Sequence, residues 1–224
     1  MLLPYTLASL GVFLPAAFAA SPPQPDTRPL SPAQIALFET PHLQNVAHPE
    51  TLRYTYRRVG PDGFADTVDV HVQAINPDGS KNLTFDYLSG AHRVGFPEID
   101  HFHGNPLLML ALDRDVAAMK AAVGLSATYF RNRIRESFVE AATVTDGTTQ
   151  LDGAPTPARI VTVQPFAHEQ RLERIASLQA KTYTFVLANS VPGMIAEIRI
   201  DTPEDKALHA PAMSEQITFA GVQP

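Results

Sequence analysis

The sequence predicts an α+β domain in which a few helices pack against one strongly curved antiparallel sheet. Two observations indicate this fold class. Apolar and polar residues alternate over three consecutive segments joined by turn signals, and the hydrophobic period then changes to that of a helix before strand-like segments return. The chain has 224 residues, of which 45% are apolar, and this suffices for one domain with a substantial core.

Composition excludes several functional classes. The chain has 17 basic and 23 acidic residues and a formal net charge of −6, whereas nucleic-acid-binding domains typically carry a basic stripe. We therefore expect no nucleic-acid partner. Because the chain contains no cysteine, thiol catalysis, disulfide frameworks, cysteine-type zinc sites and iron–sulfur clusters are excluded as well.

Residues 1–20, MLLPYTLASLGVFLPAAFAA, predict a signal peptide. This apolar stretch ends in Ala17-Phe18-Ala19, the small-x-small pattern that a signal peptidase recognises. The alternative is a membrane anchor, but Pro4 and Pro15 interrupt the stretch, which falls short of the ~20 continuous apolar residues that a span needs. We therefore expect export to the periplasm and a mature chain without a stable membrane span.

The segment after the signal peptide predicts a linker. Residues 21–30 contain four prolines in ten positions, a composition typical of extended polyproline II structure. Residues 31–224 are then expected to form a single domain.

The domain is predicted to begin with a short helix. Ser31 is a good N-cap, Pro32 occupies the first helical position and Gln34 can complete a capping box. The helix should end before Pro41, because the residue before a proline disfavours helical backbone. A three-stranded meander is predicted next, with alternating residues at 52–58, 67–74 and 82–87, separated by Pro-Asp-Gly turns.

The middle of the chain predicts a long helix. Asn105-Pro106 is another N-cap with proline at the first helical position, and Gly124 is a suitable residue to follow the last turn. Residues 107–112 are apolar on every side, whereas a surface helix should have a polar face there. This end of the helix is therefore either buried between elements or part of the lining of an apolar cavity.

Residues 128–140 fit either a helix or a strand, and we favour a strand. Phe130, Ile134 and Phe138 are spaced for one side of a helix, yet they would also share one face of a strand. The remainder predicts a strand at 159–164, a helix at 167–180, a hairpin formed by 182–188 and 194–201, and a last strand at 216–220.

Two groups of polar residues are candidate binding sites. In an extended segment, His101 and His103 would project to the same side, with Glu98 or Asp100 as an oxygen ligand for a metal. The simpler interpretation is a polar loop that leads into the Asn105 cap. If 128–140 is a strand, an arginine face could bind a phosphate group or an acidic partner; this face consists of Arg131, Arg133 and Arg135.

Catalysis has little support. The sequence has no G-x-S-x-G nucleophile motif, and Asp113 and Asp115 flank Arg114, so we expect solvated charges there. A binding protein without a cofactor is favoured over an enzyme.

Apolar residues on the predicted meander and long helix are the candidates for a hydrophobic ligand site. They would face the concave side of the curved sheet with the helix across it, where they form either plain core packing or a cavity for an acyl chain. The set consists of Tyr54, Tyr56, Phe85, Tyr87, Leu107, Leu108, Met109, Leu110, Leu112 and Met119.

Several stretches resemble the lipoprotein-carrier (LolA/LolB-like) family. They are NPLLML at 105–110 after two hairpins, Tyr129-Phe130-Arg131, and a later K-x-Y-x-F strand with Lys181, Tyr183 and Phe185. The chain also resembles uncharacterised secreted bacterial proteins that share the GNPLLML and YFRNRIR stretches. The carrier resemblance implies a half-open barrel with an N-terminal helix and a helical lid inserted mid-chain.

The resemblance also implies a function, which is to carry a lipid, an acyl chain or a similar hydrophobe in an apolar cavity of a periplasmic binding protein. Two alternatives follow from the polar groups: a cell-envelope interaction protein that uses the arginine face, or a metal-binding protein that uses the acid and histidine cluster.

Overall fold

The computed structural model describes residues 29–223. The predicted signal peptide and positions 21–28 of the predicted linker lie outside the described residues. Within residues 29–223, no helix has both the length and the hydropathy needed to cross a membrane.

The described chain forms one open, curved antiparallel sheet of nine strands in the order β4-β3-β2-β1-β9-β8-β7-β6-β5. Two meanders therefore meet where β1 pairs with the last strand, β9. The strands are β1 Glu50–Val59, β2 Phe64–Ile75, β3 Lys81–Tyr87, β4 Ile99–Phe102, β5 Thr143–Leu151, β6 Ala154–Val163, β7 Thr182–Leu187, β8 Ile195–Thr202 and β9 Met213–Gln223.

The α+β fold class and the predicted strands other than 128–140 are confirmed. In the first meander, Leu52 and Tyr54 are buried, whereas Thr55 and Arg57 are exposed, which is the alternation expected of a sheet with one face against a core. The predicted hairpin at 182–201 and the last strand are also present, and β9 is longer than predicted.

The first helix, α1, comprises Pro32–Gln34 and continues as a π-helical turn over Ile35–Glu39. The predicted capping box is confirmed, because the Gln34 amide donates to Ser31 Oγ at 3.1 Å and the Ser31 amide donates to Gln34 Oε1 at 2.9 Å. Ser31 Oγ also donates to the Phe138 carbonyl at 2.7 Å. The cap therefore both starts α1 and attaches it to a distant part of the chain.

The long helix, α2, comprises Pro106–Val123, as predicted. The Asn105 side chain accepts a hydrogen bond from the Leu107 amide at 2.9 Å, and Gly124 ends the helix with a left-handed φ of 77°. The apolar start of α2 is largely buried, but Met109 is 41% exposed. This end is thus packed between elements on most of its sides.

The strand prediction for 128–140 is wrong, because this segment forms a helix, α3, over Ala127–Glu140. Ser126 caps it by accepting from the Tyr129 amide at 3.1 Å. Phe130, Ile134 and Phe138 form one buried stripe of this helix. A residue at every fourth position satisfies both periods, and the cap together with the surface polarity between these positions decides for the helix.

The prediction of one helix over 167–180 is also wrong. This segment contains a 3-10 turn at Gln170–Leu172 and a single short helix, α4, at Ala176–Gln179. Ile175 precedes α4 with φ −128° and ψ 75°, a non-helical conformation that separates the two turns. The segment thereby buries Leu172 and Leu178 without a continuous helix.

The main core lies between the helices and one face of the sheet, and it contains residues of α1, α2, α3 and both meanders. Phe185 belongs to this core, whereas its neighbour Val186 belongs to a second, smaller cluster with Ala158, Val191 and Ala196. Because successive strand residues point to opposite faces, the sheet carries apolar packing on both sides of β7.

Candidate ligand-binding site

The structure brings most of the predicted apolar set together between α2 and the concave face of the sheet. Seven of the ten side chains belong to the main core and are at most 5% exposed: Tyr54, Tyr56, Tyr87, Leu107, Leu108, Leu110 and Met119. Phe85 and Leu112 are half-buried and pack against that core, whereas Met109 is exposed. Met109 is thus the member of the set that α2 turns away from the core.

Side chains pack the space between α2 and the sheet. The clefts on the described part of the chain include five of about 300 to 580 Å³. Of the ten residues, Phe85 alone lines one of these five clefts. A guest on the concave face would therefore have to displace α2 or rearrange the side chains beneath it.

Two tyrosine hydroxyls in this packed space lack a well-formed hydrogen bond within the described chain. Tyr54 and Tyr56 are at most 1% exposed, and neither hydroxyl has a partner in good geometry, although the Tyr54 hydroxyl lies near Asn105 and the Tyr56 hydroxyl lies near Glu215. Burial raises the pKa of both tyrosines well above the ordinary value, so both hydroxyls stay protonated. An unsatisfied buried polar group costs about 1–3 kcal/mol, and a ligand carbonyl would relieve that cost.

A buried ion pair attaches α2 to the sheet. Lys181 Nζ donates to Asp115 Oδ1 at 2.6 Å, and the Tyr183 hydroxyl donates to Asp115 Oδ2 at 2.5 Å. The expectation that Asp115 is solvated is wrong, because its side chain is buried. Burial, followed by the charge of Asp115, raises the pKa of Tyr183 well above its ordinary value. The three groups form a closed polar cluster, here called the Asp115 latch.

A second polar contact lies one residue away on the same helix. Arg114 forms an ion pair with Glu215 of β9, and its guanidinium lies 5.2 Å from the centre of the Tyr56 ring, a cation–π geometry. Arg58 of β1 approaches the same carboxylate at 3.9 Å. Two consecutive residues of α2 therefore attach the helix to the sheet: Arg114 to β9, and Asp115, through the latch, to β7.

The three predicted arginines do not form one face, because they lie on a helix rather than on a strand. Successive helical residues are 100° apart, so Arg133 projects away from Arg131 and Arg135. Each has a partner in the same chain: Arg131 with Asp113 at 3.0 Å, Arg133 with Glu136 at 2.7 Å and with Glu169 at 3.0 Å, and Arg135 with Asn132 at 2.8 Å.

The predicted metal cluster lies around the short strand β4 at one edge of the sheet. Its side chains are those of Glu98, Asp100, His101 and His103, and all four residues are exposed. Over residues 29–223, no three histidine, aspartate or glutamate side chains are grouped so that they could hold a metal ion. His101 adopts a left-handed φ of 53°, so the segment is not the regular extended strand that would align both histidines.

Sequence reasoning missed the Asp115 latch and an open cleft of about 510 Å³ near α1, which is lined by His42, Asp146 and Arg159 among others. The latch joins residues 66 and 68 positions apart, and only the tertiary fold brings them together. One usable signal was the placement of Asp115 four residues from Met119 and Ala111, on the apolar side of α2.

The open curved sheet with helices on its concave face is the architecture that the resemblance to lipoprotein carriers implied. No protein-family model matches the chain, and no curated protein matches it. Solved structures with a distant likeness include a chain of the Pseudomonas aeruginosa MucA/MucB complex, with 14% identity and a TM-score of 0.39. That match covers 81% of this chain and 54% of the other, so this chain spans about half the length of that protein.

Two further distant matches cover most of both chains. The Mycobacterium tuberculosis lipoprotein LppX has 12% identity and a TM-score of 0.35, and the match covers 86% of this chain and 96% of LppX. The LolA superfamily protein NE2245 of Nitrosomonas europaea has 8% identity and a TM-score of 0.22, with 85% and 92% covered.

Proposed function

We propose that the protein is a periplasmic binding protein that carries a lipid, an acyl chain or a similar hydrophobe between α2 and the concave face of the sheet. One observation carries the proposal: the buried side of α2 covers an apolar, tyrosine-lined sheet face on which two hydroxyls lack a hydrogen bond in good geometry. Displacing the helix would expose an apolar groove with two polar groups, the composition typical of small-molecule sites.

The energetics of exchange follow from the same contacts. Leu107, Leu108 and Leu110 lose their packing when α2 moves, at about 25 cal/mol for each Å² of apolar surface exposed. An acyl chain in the same place would restore that burial. α2 would then act as a lid, and burial of the guest would offset the free-energy cost of displacing the helix. The Asp115 latch would set how large that cost is.

A fluorescent fatty-acid analogue, titrated into the delipidated full chain, tests the proposal. We expect saturable binding that an unlabelled fatty acid displaces, and tighter binding in Leu108→Ala, which weakens the contact of the closed helix. Met109→Ala is the matched control, because Met109 is the exposed neighbour and its truncation should leave affinity unchanged. Absence of saturable binding, or equal effects of both variants, would contradict the proposal.

A further inference from the structure

The wall of the cleft near α1 includes a histidine whose ring has one buried nitrogen without a hydrogen-bond partner in the described chain. His42 lines this cleft, is 1% exposed, and its Nε2 lies 2.8 Å from the Ala36 carbonyl. Because a carbonyl oxygen only accepts, Nε2 carries the proton, and Nδ1 is an acceptor without a partner in the described chain. Burial lowers the pKa of His42, so the ring is neutral at neutral pH. A ligand hydroxyl that reaches Nδ1 from the cleft would supply the missing hydrogen-bond donor.

Two oppositely charged side chains line the same cleft without forming an ion pair with each other. Arg159 and Asp146 are directly opposite on β6 and β5, yet neither forms an ion pair or a side-chain hydrogen bond with any residue from 29 to 223. A guanidinium with free N–H groups is suited to a phosphate oxygen, and a free carboxylate is suited to a hydroxyl donor. The volume of about 510 Å³ is within the range of small-molecule sites.

Hydrogen bonds hold another part of the cleft wall in place. Asn189, Ser190 and Met194 line it, and the turn that carries them is fixed by Asn45, whose Nδ2 donates to the Val191 carbonyl at 2.7 Å. Asn45 Oδ1 also accepts from the Gly193 amide at 2.9 Å, and Asn105 Nδ2 donates to the Gly193 carbonyl at 2.6 Å. A wall fixed in this way loses little conformational freedom when a ligand binds.

We propose that this cleft binds a hydroxylated phosphodiester, with a ligand hydroxyl donating to His42 Nδ1, the phosphate on Arg159 and a second hydroxyl on Asp146. The carboxylate beside Arg159 favours the single charge of a diester over the double charge of a phosphate monoester. The same chemistry occurs in a free glycerophosphodiester and in the head group of phosphatidylglycerol. This site is separate from the concave face, and the proposal does not depend on hydrophobe binding there.

Calorimetric titration of the full chain with glycerophosphoglycerol, and flotation with phosphatidylglycerol or phosphatidylcholine vesicles, test this proposal. We expect saturable binding that weakens at least tenfold in Arg159→Gln and in His42→Gln. The glutamine at 42 keeps an N–H for the Ala36 carbonyl. Arg57→Gln is the matched control, because Arg57 is an exposed strand arginine that does not line the cleft. This variant should bind the diester with unchanged affinity.

The two arms distinguish the ligand source. Binding of the soluble diester with this variant pattern identifies a free ligand, and binding confined to phosphatidylglycerol vesicles with the same pattern identifies a lipid head group. Wild-type affinity in Arg159→Gln, an equal loss in Arg57→Gln, or no binding in either arm would overturn the proposal. If His42→Gln does not fold, Arg159→Gln and its control decide the question, since Arg159 is exposed.

Discussion

The ammonium group of Lys181 lies 2.6 Å from Asp115 Oδ1, and both side chains are almost completely buried, with 2% and 4% exposed. This ion pair joins the middle of α2 to the start of β7, so the helix that covers the concave face is attached by a charge pair rather than by apolar packing alone. Buried pairs depend strongly on both partners, because removing one leaves an uncompensated charge in the interior. The Asp115 latch is therefore the contact on which the proposed displacement of α2 should depend most.

Breaking the latch at one partner should destabilise the fold. Asp115→Asn leaves the Lys181 ammonium buried without a counter-charge, and we expect a loss of about 3–5 kcal/mol in the free energy of unfolding. The triple variant Asp115→Leu, Lys181→Met, Tyr183→Phe removes all three polar groups and should be close to wild type or more stable. Urea denaturation measures both, and equal losses in the two variants would show that packing, not charge, holds α2.

Asn105 should contribute more than an ordinary helix cap. It accepts from the Leu107 amide and donates to the Gly193 carbonyl, so it links the start of α2 to the β7–β8 turn. We expect Asn105→Ala to cost more than the typical ~1 kcal/mol of a lost N-cap, since a buried carbonyl also loses its donor. Ser126→Ala, which removes the simple cap of α3, is the comparison. Equal losses would mean that the Gly193 contact contributes nothing.

The helical assignment of α3 can be tested by truncation of its buried stripe. Ile134→Ala should cost about 2–5 kcal/mol, because Ile134 is 4% exposed within the core. The adjacent exposed Arg135→Ala should change the free energy of unfolding by no more than about 0.5 kcal/mol. Thermal or urea unfolding checks this difference, and a large loss in Arg135→Ala would argue against the observed orientation of α3.

The ionised carboxylate of Asp205 should contribute a component of folding stability that is lost in acid. The Ser177 amide donates to its carboxylate at 3.2 Å and the Leu208 amide at 3.1 Å, and these bonds hold the pKa of Asp205 below its ordinary value of 3.8. A lowered folded-state pKa gives stability that is present above the unfolded-state pKa and lost as the pH falls through the folded value.

The matching variant is Asp205→Asn. At pH 7 its melting temperature should be below that of the wild type. The difference should shrink as the pH falls below about 4, where the unfolded wild type takes up its proton, and through the lower pKa of the folded carboxylate. A difference that stays constant from pH 7 to pH 2 would mean that the charge of Asp205 does not contribute.

Local patterns predicted the elements whose signals lie close together in the chain. The Ser31 capping box, the Asn105 cap with Gly124 and the alternating strands each depend on residues within one element, and each is present in the structure. The strand prediction for 128–140 failed because apolar residues at every fourth position fit both the helical period and the strand period. Once that segment is a helix, the arginine face on it no longer exists.

The contacts that define the site could not be read from the sequence. The Asp115 latch, the pairing of β1 with β9 and the cleft at His42 all join positions far apart in the chain. The sequence left open whether the concave face is filled, since the same apolar residues serve a core or a cavity. Only their packing shows that side chains occupy this space.

Native mass spectrometry of the full chain, expressed and gently purified from the periplasm, tests hydrophobe carriage most directly. We expect a bound mass of a few hundred daltons that is lost on denaturation and recovered in the organic extract. A clean apo mass, together with no uptake when the protein is incubated with phospholipid or fatty acid, would contradict it.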